Sequence, residues 1–302
     1  MRGSLMPGAS DDDLRAHLAE RIGDYGACTG ALAGNGWLAE FQTAFSSSAP
    51  AQDLVTFDNI AFALAEYQRS MVFVDTPWRR YVEGDNAAIS TEAKEGALLF
   101  YGDTSNQGFN CASCHGGDFF TDERNTLVGF PQSGIGKGDG AAGDHDFGRE
   151  QQSGDVAERF FFRTPTLLNI EATAPYGHTG TFDLIFALQH YFLPLQTLGD
   201  ALPGGSVCEV PQFADNPDCA TLFPNTLAYS QETFAAVTAQ RMGSSPELTF
   251  PDLNFSPTSD APKLLAFIQT LTDPCTLDRA CLVPWIPDAA EAPDAHQLTA
   301  ID

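Results

Sequence analysis

Positive charge is scarce in this chain of 302 residues. Lys and Arg together number 15 against 40 Asp and Glu, for a formal net charge of −25. A surface that acidic repels phosphate backbones and anionic membranes, which excludes nucleic acid as a partner. It suits a basic protein partner, and equally plain solubility or a saline habitat. No apolar run approaches the length of a membrane span. The first thirteen residues hold Arg2 but no apolar stretch and no small-residue cleavage site, so they do not read as an export signal. No internal repeat is visible. What the chain does have is 43% hydrophobic residues, enough for a core, and a length that allows two modest domains or one with long insertions.

The chemistry concentrates in Cys111-Ala112-Ser113-Cys114-His115. Two cysteines at this spacing with an immediate histidine form the attachment signature of a c-type haem. Each thiol adds to one vinyl group of the porphyrin, and the next residue sets its imidazole under the iron as proximal ligand. The competing readings are a zinc site and a thiol redox pair. Structural zinc needs two further ligands at recognisable spacing, yet the next cysteines are Cys208 and Cys219. A thioredoxin-type pair sits between a strand and a helix, whereas residues 91–100 read as a helix and 102–110 as a loop. Of the seven cysteines, Cys208 with Cys219 and Cys275 with Cys281 are close enough to close small disulfide loops, leaving Cys28 over. Sequence does not fix the connectivity. Covalent haem and disulfides both imply a periplasmic or otherwise exported protein. The missing signal then makes residue 1 an unnatural start and the chain a piece of a longer precursor.

Asp11-Asp12-Asp13 can open a helix running to about Gly23, and Leu38, Phe41 and Phe45 mark a second. Residues 46–52 read as a loop. Thr56 opens a periodic helix with Phe57, Ile60, Leu64, Tyr67 and Met71 on one face, which Pro77 ends. The helix reaching Tyr101 carries Gly96, where another helix can approach closely. Residues 129–154 are glycine-rich and irregular, as a segment wrapping a cofactor would be. Residues 182–192 read as a helix broken by Pro194, and 195–260 as an insertion with short helices. A last helix runs from Ala261 to Thr272, stopped by Pro274, and residues 275–302 form a loosely packed extension.

In this order the strings resemble the bacterial dihaem cytochrome c peroxidase and MauG family. Thr56-Phe57-Asp58-Asn59-Ile60 with residues 65–70, Phe119-Phe120-Thr121-Asp122, Asp146-Phe147-Gly148-Arg149, residues 162–169 and Thr173-Ala174-Pro175-Tyr176-Gly177-His178-Thr179-Gly180 carry the likeness. The last string is close to the family's T-A-P-Y-x-H-D-G. The resemblance implies a mainly α fold: a cytochrome c-like haem domain with long loops (84–274, insertion at about 195–260), an N-terminal helical segment (1–83) and a C-terminal extension (275–302). The family carries two haems, one reducing peroxide and one passing electrons to it. The single CxxCH here matches the second domain. Met1-Arg2-Gly3 resembles a segment that follows the family's catalytic glutamate, so the peroxidatic haem and its glutamate are expected to be missing.

His115 is then the proximal ligand. The distal ligand falls at Tyr191, which matches the tyrosine of MauG, with His190 as its alternative. His178 is expected near the haem edge, hydrogen-bonding rather than ligating. Arg149 and Arg163 suit haem propionates or surface ion pairs. The carbonyls of Thr173 and Pro175 resemble part of a calcium site. Asp139, Asp144 and Asp146 miss the EF-hand spacing and read as a solvated loop, and Trp37, Trp78 and Trp285 read as packing residues. The implied function is the electron-transfer haem domain of an oxidoreductase that reduces hydrogen peroxide with electrons from a small cytochrome c or cupredoxin, the piece alone being inactive as a peroxidase. A one-haem electron carrier, a subunit completed by a partner chain, and a homodimer stay open.

Overall fold

The computed structural model describes residues 10–294, except 133–135, 195–196, 198, 200–201, 203–205, 207, 209–212, 214, 242–254 and 287–291. Met1-Arg2-Gly3, much of the proposed insertion and the last eight residues therefore lie outside the described residues. The chain divides into two units, residues 1–72 with 278–302, and residues 73–277. Both are helical, in keeping with the mainly α expectation. The described residues hold one two-stranded sheet, and none of their helices is long and apolar enough to cross a membrane.

The first unit contains α1 (Asp11–Gly23), α2 (Trp37–Ala44), α3 (Ala51–Leu54) and α4 (Phe57–Ser70). Ser10 rather than the aspartate run is the cap of α1. Its Oγ accepts from the Asp13 N–H, and the Asp13 carboxylate accepts from the Ser10 N–H at 2.8 Å, a reciprocal box that satisfies two orphan donors. Thr56 caps α4 by accepting from the Asn59 N–H at 3.2 Å. Phe41, Leu54 and Val55 form the core here, with Ile22, Leu38 and Ile60 against it. The apolar face expected along α4 is largely unburied, with Leu64 57% and Tyr67 47% exposed.

The second unit runs through α5 (Pro77–Val82), α6 (Thr91–Tyr101), β1 (Asn125–Thr126), α7 (Glu150–Ser153), β2 (Phe162–Arg163), α8 (Leu184–His190), α9 (Cys219–Leu222), α10 (Thr226–Arg241) and α11 (Asp260–Gln269). α12 (Arg279–Leu282) belongs to the first unit. Pro77 does not end α4, which stops at Ser70. It opens α5 instead, where a missing N–H costs nothing, and Thr76 accepts from the Arg79 N–H at 3.1 Å. The longest described helix of the 195–260 stretch has 16 residues, so that segment is not limited to short helices. Val237 of α10 packs with Leu127 and Phe160, tying α10 to the irregular segment.

The main core lies where α6 meets α11, and contains Phe100, Phe120, Leu264, Phe267 and Leu271. Gly96 makes the approach possible: a Cβ there would lie 1.9 Å from the Lys263 carbonyl oxygen and 2.9 Å from the Phe267 Cβ. Trp78 stands edge-on to Phe267 at 4.9 Å, a packing role as expected. Cys208 and Cys219 are disulfide-bonded to each other. Cys275 and Cys281 are disulfide-bonded cysteines as well.

Candidate functional site

A short turn after α6 winds two thiols and an imidazole onto the main core. The Phe109 N–H donates to the Leu99 carbonyl at 2.7 Å and the Asn110 N–H to that of Gly102 at 2.8 Å, holding the loop against α6. Asn110 adopts a left-handed conformation, and the chain then turns through Cys111–Ser113 until the His115 N–H reaches the Cys111 carbonyl at 2.9 Å. Cys111 and Ala112 pack against the cluster around Phe100 and Leu264. Burial pushes the Cys111 thiol up to about 12.

His115 supplies the imidazole of the turn. Its Nδ1 lies 3.3 Å from the Phe120 carbonyl oxygen. A carbonyl only accepts, so Nδ1 carries a proton toward Phe120. Burial holds the imidazole below its usual pKa, against the opposing pull of the Phe120 carbonyl, Asp122 and the Pro165 carbonyl, and a neutral ring is what ligation requires.

α8 brings the next groups. Asp183 caps it by accepting from the Phe186 N–H at 2.7 Å, and Leu184 and Leu188 pack on the same core as Cys111. The two candidates for a distal ligand follow and diverge. His190 is fully buried, donates through Nε2 to the Gly129 carbonyl at 3.1 Å, and accepts at Nδ1 from the Thr197 hydroxyl at 2.9 Å. Its ring stacks on Phe130 at 4.7 Å. Both nitrogens are thus engaged within the core. The Tyr191 hydroxyl is raised by burial first and then by Cys111 and Cys114, so it lies within electrostatic reach of the two thiols.

The remaining predicted residues are more dispersed. Arg163 pairs with Glu123 at 2.8 Å, both side chains well exposed, and Arg149 with Glu158 at 3.5 Å. Thr173 and Pro175 are exposed, and the Thr173 hydroxyl donates to the Ile170 carbonyl at 3.0 Å. Among the described residues no group of three His, Cys, Asp or Glu side chains converges to hold a metal ion. His178 donates through Nε2 to Asp146 at 2.9 Å and stacks on Phe162 at 3.5 Å.

The aspartates of residues 139–146 are not the solvated loop expected. Asp139 accepts from the Phe147 N–H at 2.7 Å, and Asp144 accepts from Tyr229 and from Asn225. Asp146 is buried. Burial pushes its carboxyl up, but His178, the Gly148 N–H and the charge of Lys137 outweigh that and hold it below the usual range. The stability this contributes is present above about pH 4 and is lost as pH falls through the folded value. Asp146→Asn is expected to cost about 1.5–3 kcal/mol at neutral pH and to flatten the decline below pH 4. Urea unfolding across pH 3–7 checks this; an unchanged acid slope contradicts it.

No protein-family model matches the chain. The methylamine utilization protein MauG of Methylorubrum extorquens is 32% identical over 157 residues, 52% of this chain and 39% of that protein. The cytochrome c551 peroxidase of Nitrosomonas europaea is 32% identical over 128 residues, 42% of this chain and 35% of the relative. That of Pseudomonas aeruginosa is 30% identical over 147 residues, 48% and 40% respectively. The matched part thus spans well under half of each of these relatives. A solved structure described as a MauG-like protein associated with microbial copper homeostasis superposes with a TM-score of 0.54 at 20% identity, covering 92% of this chain and 67% of that one; this likeness speaks for the fold alone.

Proposed function

We propose that this chain belongs to the family of MauG and the bacterial cytochrome c peroxidases, to which it is 30–32% identical over about half of its length, that it carries one haem c, attached through Cys111, Cys114 and His115, and that it serves as the electron-transfer domain of an oxidoreductase that consumes hydrogen peroxide. The observation that carries the reading is that one short turn brings Cys111, Cys114 and His115 together, with the Tyr191 phenol within electrostatic reach of both thiols. This donor set fits haem c.

When bound, the haem supplies an iron that gains and loses one electron. The chain's own groups do the rest. Cys111 and Cys114 hold the porphyrin edge as thioethers. His115 offers Nε2, while the Phe120 carbonyl on Nδ1 fixes the ring and strengthens it as a donor. Tyr191 would supply the other protein ligand to the iron, an oxygen donor that would hold the potential lower than methionine. Burial disfavours loss of its proton, so phenolate formation depends on the metal's charge. Phe100, Phe120 and Leu264 form the apolar core on which Cys111 packs.

The finer parts of the reading are proposals of the same kind. Arg149 and Arg163 would pair with haem propionates in place of their carboxylate partners Glu158 and Glu123, and His178 would hold Asp146 at the haem edge. The carbonyls of Thr173 and Pro175 contribute to a calcium site. The electron donor is a small cytochrome c or cupredoxin with a basic face, matched to a chain of net charge −25. The location is periplasmic, where disulfides such as Cys208–Cys219 persist. Peroxide turnover belongs to the whole protein rather than to the one haem motif here.

The test is spectroelectrochemical titration of the matured chain and of Tyr191→Phe. The expected result is a higher midpoint potential and an altered ferric absorption spectrum in the variant. An unchanged potential and spectrum removes Tyr191 from the iron. Peroxide consumption by the complete protein with a reduced cytochrome c, and none without it, supports the enzymatic reading over a plain carrier.

A further inference from the structure

His190 is the last residue of α8 and is wholly buried. A side chain kept only to fill space there would serve as well as leucine. Both of its ring nitrogens are engaged instead, on two separate segments. Nε2 donates to the Gly129 carbonyl at 3.1 Å, 61 positions back, and Nδ1 accepts from the Thr197 hydroxyl at 2.9 Å. The ring therefore has one setting, because a turned ring would leave a buried donor and a buried acceptor unmet.

This grip reaches Tyr191 by two routes. The first is the backbone. Tyr191 caps α8 with helical dihedrals, φ −61° and ψ −29°, so its side chain leaves the axis about 100° from that of His190. Fixing one direction fixes the other. The second route is Phe130. It follows Gly129, stacks on the His190 ring with centroids 4.7 Å apart, and meets the Tyr191 ring edge-on at 6.0 Å. One histidine thus holds the carbonyl at 129 and the ring at 130, and that ring is packed against the phenol. Behind Gly129 stands α10. A Cβ on Gly129 would lie 2.5 Å from a methyl carbon of Val237, so the segment has little room to retreat.

We propose that His190 is a positioning residue: by holding Phe130 against the phenol and fixing the end of α8, it aims the Tyr191 hydroxyl at the iron of a haem attached to Cys111 and Cys114. The proposal rests on the reading of Tyr191 as a ligand. His190 takes no part in ligation, since both of its nitrogens are occupied elsewhere. Hydrogen bonds that pre-set a ligand's direction are a recurrent support of metal sites.

The test compares the ferric absorption spectrum and the midpoint potential of the matured chain with those of His190→Leu, His190→Gln, Tyr191→Phe and the double variant His190→Leu, Tyr191→Phe. His190→Leu is expected to move both readouts in the direction that Tyr191→Phe moves them. His190→Gln, whose amide can still donate to Gly129, is expected to restore most of the parent spectrum. The double variant is expected to match Tyr191→Phe alone, because a residue that acts only through the phenol then has nothing to act on. Phe130→Leu is the milder variant, leaving the hydrogen-bonding groups of His190 in place and shifting the spectrum the same way. It carries the test should His190→Leu fail to fold, which far-ultraviolet circular dichroism reads. An effect of Tyr191→Phe with none from His190→Leu or Phe130→Leu overturns this proposal and leaves the ligand reading standing. So does a shift in the double variant equal to the sum of the two single shifts, or a glutamine variant no closer to the parent than the leucine one. No effect of Tyr191→Phe overturns both readings together.

Discussion

Gly96→Ala is expected to destabilise the second unit by about 3 kcal/mol or more, lowering its melting temperature by roughly 6–12 °C. Two effects oppose each other at this position. Alanine is the better helix former by about 1 kcal/mol, and Gly96 lies inside α6, so helical propensity alone predicts a gain. Packing decides otherwise. The new Cβ would sit 1.9 Å from the Lys263 carbonyl oxygen and 2.6 Å from its carbon, distances that only a shift of backbone can relieve. Moving α11 away loosens Leu264, Phe267 and Leu271, each essentially without solvent exposure. Leu98→Ala on the same helix is the control, since Leu98 is 74% exposed and its loss is expected to cost under about 0.5 kcal/mol. Thermal unfolding of both variants separates the two effects; a Gly96→Ala chain as stable as its parent means that the helices do not meet at this distance.

Replacing both Cys111 and Cys114 by alanine is expected to abolish haem that survives denaturation, whereas either single replacement leaves one thioether and a reduced yield. No other described cysteines can substitute: Cys28 lies buried beside His17 in the first unit at 3.3 Å, and the other four are disulfide-bonded. Cys208→Ala with Cys219→Ala serves as the contrast. Removing that bridge is expected to cost about 2–4 kcal/mol and to leave the colour untouched. Haem-dependent peroxidase staining after denaturing electrophoresis reads all four proteins. Retained stain in the Cys111→Ala, Cys114→Ala chain would contradict covalent attachment at this turn.

The parts of this molecule legible in sequence are those whose cause is local. Thr56 with the apolar spacing after it announces α4, the capping chemistry before Leu14 announces α1, and Gly96 marks a close helix contact before the second helix is known. The thiol pair and His115 carry their chemistry in five consecutive residues. The misreadings have distant causes. Pro77 was legible as a helix breaker, and it is the helix starter that Thr76 makes of it that depends on context. The aspartates at 144 and 146 look solvated until Asn225, Tyr229 and His178 arrive from 32 to 85 positions away. His190 and Tyr191 are chemically plausible neighbours in sequence, and what distinguishes them is Gly129, 61 positions from His190, and Thr197.

At the root of the account is an iron porphyrin bonded to Cys111 and Cys114. Intact-mass spectrometry of the matured, denatured chain, combined with a pyridine haemochrome assay, tests this most directly. The account predicts a mass increase of one haem per chain and the haemochrome of a porphyrin with both vinyl groups saturated. An unmodified mass with no Soret absorption, or stoichiometric zinc in place of haem, would contradict it.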